Sequence, residues 1–176
     1  MNKVKTIYEA VSKINNEDSI MIAGFMTVGT PELLVDAVVA SGLKDLTIIC
    51  NDAGTPGMGA GKMAERIRAG GAGLGGFLTP TGVGTVVQEG KQVINIKGKD
   101  YLLELPLKAD VALIKAHRAD RSGNLIFLKS AQNFNPLMAT ACEYIIIEVE
   151  HIEDVGCLDP DAVMLSGIFI DAIVQG

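Results

Sequence analysis

The stretch that most constrains this chain is a short apolar run, Ser19-Ile20-Met21-Ile22, that leads into Ala23-Gly24-Phe25-Met26-Thr27-Val28-Gly29 and resumes at Pro31. So short an apolar run, closed off by glycine, is too brief for a helix and reads as a buried strand. Beyond Pro31, Leu33, Leu34, Ala37 and Val38 recur at helical spacing to about Ser41, with Thr30 placed to cap the first turn and Gly42 to follow the last. Leu46-Thr47-Ile48-Ile49-Cys50 then reads as a second buried strand. Strand, helix and strand in about 30 residues form a βαβ unit, whose long crossover requires a parallel sheet. Its first strand-to-helix turn lies where open α/β sheets bind ligands and where helix N–H groups meet anions, but it lacks G-x-G-x-x-G spacing and a P-loop lysine, so it reads equally as a plain strand-to-helix turn.

The remaining pattern fits the same class. Hydrophobic residues make up 48% of the 176-residue chain but aromatic ones only 5%, so small aliphatic side chains carry the burial, as buried parallel strands demand. Val4 to Ile14 reads as an amphipathic helix, and Met63 to Arg68 as a short helical stretch between glycine-rich runs. Val93–Ile96 and Tyr101–Leu105 read as an antiparallel hairpin turning at Lys97–Asp100. Val111–Ala116 and Tyr144–Val149 are further strands, separated by a turn at Arg121–Asn124 and a helix from Pro136. The expectation is an α/β fold, an open and mostly parallel sheet with helices on both faces plus an antiparallel hairpin, in one domain over residues 1–176.

Several functions are disfavoured. A net charge of −6 without a basic stripe argues against a nucleic-acid surface. Cys50, Cys142 and Cys157 are odd in number and widely spaced, so they read as buried free thiols. Only His117 and His151 are present, neither with a second ligand at metal spacing, and no metal is expected. No apolar run reaches the about 18 residues that cross a bilayer, and the amino terminus lacks a signal-peptide core, so no membrane contact and a cytoplasmic location are expected. Gly59-Ala60-Gly61-Lys62 resembles half a P-loop, but Pro56 replaces its first glycine and Met63 its magnesium-binding hydroxyl, which disfavours ATP or GTP hydrolysis.

Other segments offer weaker signals. Asn51 and Asp52 close the second strand beside the first glycine turn, where their side chains can orient a carboxylate or act as turn formers. Seven glycines lie between Gly70 and Gly84, interleaved with Leu74, Phe77, Leu78 and Val83 in the manner of an ordered loop. Lys62, Arg66 and Arg68 beside that loop either face phosphates or line a solvated helix face. Glu89, Glu104, Glu148 and Glu150 do not sit at glycine-rich strand ends, and none is nominated as a nucleophile.

These residues resemble the α subunit of family I acid CoA-transferases, the acetate, acetoacetate and butyrate group. The resemblance covers nearly the whole chain and runs through Ala23–Pro31, Asn51-Asp52-Ala53-Gly54, Glu65–Gly76, Thr79–Thr85 and Asn133-Phe134-Asn135-Pro136. It implies a coenzyme A site at Ala23, Gly24, Phe25, Met26, Thr27, Val28 and Gly29, and a substrate site at Asn51, Asp52, Gly73 and Gly75. It also implies no catalytic residue on this chain, because the nucleophilic glutamate belongs to a β subunit in an α2β2 assembly. Coenzyme A is then a substrate, exchanged between short-chain acyl groups and free carboxylates, and no tightly bound cofactor is expected.

Two departures from the family pattern stand out. Ala23 replaces a first glycine, which is harmless only at negative φ. Related chains also carry several tens of residues between the equivalents of Lys62 and Met63, including a Pro-Gln-Gly-Thr turn whose Gln lines the acyl pocket. Either this chain lacks them, or residues are omitted there and the Cα separation exceeds the about 3.8 Å of a trans peptide. A true loss favours an alternative, a non-catalytic subunit that binds coenzyme or partner. Sugar-phosphate isomerases with a related sheet would need a carboxylate or His at a glycine loop, and none is present.

Overall fold

The computed structural model describes residues 2–51 and 60–176. The first half of the chain forms α1 (Ile7–Val11), β1 (Ser19–Ile22), α2 (Glu32–Ala40), β2 (Thr47–Cys50), α3 (Ala60–Gly71), β3 (Phe77–Thr79), β4 (Val93–Ile96) and β5 (Lys99–Glu104). The second half forms β6 (Ala109–Asp120), β7 (Leu125–Ile126), α4 (Asn135–Ala139), β8 (Cys142–Glu153) and β9 (Ala172–Gln175). The main sheet has the order β2-β1-β6-β8-β9, with every neighbour parallel, and β7 adds antiparallel to β6. A separate antiparallel sheet has the order β3-β5-β4.

Alternation along the central strands explains why the sheet is covered on both faces. Ile20, Val111, Leu113, Ile146, Ala172 and Val174 pack on one face with Ala10, Val11, Leu34 and Val38 of α1 and α2. Met21, Ala112, Ile114, Ile145, Ile147 and Ile173 face the other way, against Met63 and Ile67 of α3 and Met138 of α4. Successive strand residues point to opposite faces, so a nearly continuous apolar run is what a doubly covered strand requires.

Several boundaries differ from expectation for local reasons. α1 is shorter than Val4–Ile14 because Thr6 caps it, exchanging hydrogen bonds with Glu9 in a capping box. α3 extends well beyond Met63–Arg68, through Gly70 and Gly71, and runs without interruption across Lys62 and Met63. β6 and β8 each run 12 residues, since their ends are half-polar strand that apolar runs alone do not mark. Two strands were not expected, the three-residue β3 and β9 near the carboxyl terminus. The hairpin is present and turns through Lys97 and Gly98, both at positive φ.

Candidate functional site at the carboxyl edge

The loop after β1 is built on backbone geometry. Ala23 continues the ladder, its N–H donating to the Leu113 carbonyl at 3.0 Å. It is absent from the positive-φ residues, so alanine in place of glycine carries no strain there. Phe25 and Val28 exchange two backbone hydrogen bonds of 3.1 and 3.0 Å across Met26 and Thr27. Both tip residues lie in the left-handed region, with φ of 47° and 68°. That is the shape of a type I′ turn, which ordinarily takes Asn-Gly. A β-branched threonine there is an outlier costing about 1–3 kcal/mol, the kind of local strain found at ligand sites. Residues 25–28 are exposed, so the strained turn and its apolar side chains stand in solvent at the carboxyl end of the sheet.

Glycine brackets the turn for steric reasons. Gly24 and Gly29 have φ of 123° and 74°, and a Cβ on them would lie 2.3 Å from Thr30 Oγ1 and 2.8 Å from Asn135 Nδ2 respectively. The second contact identifies the support beneath the loop. Asn135, fully buried, donates to the Gly29 and Ala131 carbonyls at 3.1 and 2.8 Å and accepts from the Lys115 N–H at 2.7 Å. Asn133 Nδ2 donates to the Val28 carbonyl at 2.9 Å. The Asn133-Phe134-Asn135-Pro136 motif therefore ties the loop to β6, and the bonds made by buried Asn135 are costly to lose.

A second anchor comes from β8. α2 has Pro31 at its N-cap and no side-chain cap of its own, so Thr30 does not play the capping role its position implied. Glu148, 2% exposed, reaches across instead, and its Oε2 accepts from the Leu33 and Leu34 N–H groups at 2.9 and 3.3 Å. Its other oxygen meets Lys115 Nζ at 2.9 Å. Hydrogen bonding to Glu148 raises the Lys115 pKa above its ordinary value, against the opposing effect of burial. A carboxylate at a helix N-terminus is favoured by the dipole and by the orphan amides, so the anion site that the βαβ pattern offered is already filled from within. The sequence signal was a lone charge within the apolar run Ile145-Ile146-Ile147-Glu148-Val149.

The remaining candidates divide between the two edges of the sheet. β2 pairs with β1 so that Cys50 opposes Ile22, which places half-buried Asn51 one step further on, beside Ala23. Asp52 lies outside the described residues. Gly73 and Gly75 do not join them. With Ser19, Lys108, Asp110, Ala141 and Cys142, Gly73 lines a depression of about 320 Å³ at the amino ends of β1, β6 and β8. α3 delivers its last turn, Gly70 and Gly71, to the same depression. The physical reason is topological, since a helix crossing a parallel sheet returns the chain to the edge where strands begin.

The basic and acidic candidates are engaged in packing. Lys62 is buried 3.7 Å from Glu104, which Lys91 also contacts at 2.7 Å. Arg66 donates to the Leu105 carbonyl and Arg68 to Glu65, so the three cations are spread among separate partners. The cysteines are free thiols, but Cys50 and Cys142 are only half-buried and Cys157 is exposed. Burial pushes the Cys142 thiol up to about 12, so it stays protonated and unreactive near neutral pH. β6–β8 pairing brings His117 and His151 together although 34 positions separate them in sequence.

The sequence pattern of the family described as "Coenzyme A transferase" matches residues 4–64 and 58–176 of this chain. The chain belongs to the coenzyme A transferase family. Within it, the chain is 41% identical over 211 residues to the alpha chain of the acetate CoA-transferase of Escherichia coli strain K12, covering 98% of this chain and 96% of that one. It is 39% identical over 196 residues to the alpha chain of the acetoacetyl-CoA:acetate/butyrate CoA transferase of Clostridium acetobutylicum, covering 89% and 90%. The fold resembles the solved acyl-CoA transferase of E. coli O157:H7 in its thioester complex with CoA, with a TM-score of 0.86 and 19% identity over 99% of this chain and 47% of that one. An alignment of 211 positions against 176 residues leaves at least 35 positions of the E. coli K12 coenzyme A transferase with no counterpart here. The two matched pieces of the family pattern meet between residues 58 and 64.

Proposed function

We propose that this coenzyme A transferase chain is the α component of an α2β2 enzyme that exchanges CoA between a short-chain acyl-CoA and a free carboxylate such as acetate, acetoacetate or butyrate. The observation that carries the reading is the strained, exposed turn at Met26 and Thr27, braced by Asn133, Asn135 and Gly29 at the carboxyl edge where β2 also ends, one residue before Asn51. A main-chain cradle of this kind suits a pantetheine thioester, and Ala23 to Gly29 would hold the coenzyme while Asn51 and Asp52 meet the acyl group. A glutamate of the partner attacks the thioester and expels CoA thiolate, giving an acyl-glutamyl anhydride; the thiolate then attacks its glutamyl carbonyl, releasing the donor carboxylate and leaving a glutamyl thioester, and the acceptor acid reverses the sequence. The role of this chain is to position the thioester and exclude water, because a wet anhydride hydrolyses.

A second reading rests on the interior length difference. Loss of the segment between Lys62 and Met63 would leave a chain that binds coenzyme or partner without supporting turnover. Co-expression with a cognate β subunit, followed by an assay of acetate-dependent CoA exchange, separates the two. Exchange is expected from the complex and not from either chain alone. Exchange from this chain alone sinks its assignment as one half of a two-chain enzyme, and a well-assembled complex that binds CoA without exchange establishes the non-catalytic reading.

A further inference from the structure

β6 and β8 continue beyond the end of β1, and in that extension Ala116 opposes Val149 and Arg118 opposes His151, so His117 and Glu150 form the intervening cross-strand pair. His117 Nδ1 lies 2.7 Å from Glu150 Oε2. A regular pleat would send His151 to the opposite face from its neighbour Glu150. Its ring nevertheless stands edge-on to His117, with centroids 5.2 Å apart. One potential ligand atom from each of the three side chains lies within 4.8 Å of the others. Bonds of about 2.0–2.2 Å to a shared ion require ligand atoms roughly 3 to 3.5 Å apart. Glu150 and His151 are exposed and His117 is partly buried, so their side chains have room to rotate toward a shared ion.

The surrounding charges leave the cluster available. Lys115 is held by Glu148 and Arg118 by Glu153, so the two nearest cations on β6 already have carboxylate partners. Two imidazoles and one carboxylate on adjoining strands form a donor set for borderline divalent ions, and the all-oxygen preference of magnesium and calcium disfavours both.

We propose that His117, Glu150 and His151 form a binding site for a divalent transition-metal ion such as Zn²⁺ or Co²⁺, bridging β6 and β8 beyond the carboxyl end of β1. The site stands independently of the coenzyme reading, because none of its three residues belongs to the Ala23–Gly29 cradle. An untagged, metal-free preparation of the full chain titrated with Co²⁺ tests it. The expected result is saturation at one ion per chain, with visible d–d bands, no thiolate charge-transfer band, and displacement by Zn²⁺. Losing a supporting partner of a metal ligand costs about 10- to 100-fold in affinity, so His151→Ala and Glu150→Gln should each weaken binding by no less than tenfold. Both positions are exposed, and matching far-UV circular dichroism and melting temperature of the metal-free variants will show that the fold is intact. The proposal is overturned by absence of saturable binding, by a thiolate band that puts the ion on a cysteine, or by folded variants that bind as tightly as the parent.

Discussion

At the carboxyl edge of the main sheet, Gly24 and Gly29 adopt positive φ and hold an exposed turn clear of its support. At the amino edge, Gly70 and Gly71 sit in α3, and a Cβ there would come 2.3 Å from the Leu107 carbonyl and 2.2 Å from Thr140 Oγ1. The first pair uses the conformational freedom of glycine, and the second uses only its small size. Glycine density in the sequence therefore marks two different physical demands, close packing of a helix against strand entries and a left-handed backbone around an exposed turn. Only the second belongs to the proposed coenzyme cradle.

Three perturbations probe the contrast. The largest expected effect is at Glu148, where alanine strips α2 of its cap and strands Lys115, a loss of about 3–5 kcal/mol for breaking a buried pair. Urea denaturation measures it, and a cost below about 1 kcal/mol would show that α2 starts without help. Next come paired alanines at the two edges. Gly70→Ala meets a backbone carbonyl and should cost about 1–3 kcal/mol by overpacking, with CoA affinity per folded molecule unchanged. Gly29→Ala adds about 1–2 kcal/mol of left-handed strain, pushes on Asn135, and should weaken CoA binding at least about tenfold. Equal CoA affinity in both variants would erase the functional distinction between the edges.

The smallest effect concerns the two ends of β6. Burial works against ionisation of Asp120, but bonds from the Ser122 hydroxyl, the Asn124 side chain and both backbone amides outweigh it and hold the pKa below its ordinary value. Asp110 is lowered chiefly by the Ser19 hydroxyl, then by its N–H. A depressed folded-state pKa gives stability that is present above the unfolded value of about 3.9 and is lost as pH falls through the folded one. Asp120→Asn should flatten the acid limb of stability on the order of 1 kcal/mol, since Asp120 is buried. Exposed Asp110 should matter much less, because solvent screens it. Acid unfolding monitored by circular dichroism distinguishes them, and equal flattening would contradict the burial difference.

Much of the architecture was legible because it rests on local rules. The βαβ unit, the hairpin at Lys97 and Gly98, and the short helix from Pro136 follow from period, turn chemistry and proline. The site was half legible. The Ala23–Gly29 turn is contiguous, so its placement could be read, whereas its supports arrive from more than a hundred positions away through α4 and β8. Glu148, Asn135 and the His117–His151 approach depend on which strands become neighbours, and spacing in one chain does not encode that. The edge to which Gly73 is carried was not legible for a related reason. Glycine content was legible, but the edge to which α3 delivers it depends on the direction of a crossover.

Glu148 bears on the kind of ligand the neighbouring loop can hold. A carboxylate tethered to the same molecule competes for the start of α2 at a high effective concentration, so a dissolved phosphate gains little by approaching those amides. In the proposed cradle, recognition near Met26 and Thr27 would thereby rest less on charge than on the shape and amide hydrogen bonds of an uncharged linker. Affinity there should respond weakly to added salt, in contrast to a pocket that draws its ligand by an unfilled helix dipole.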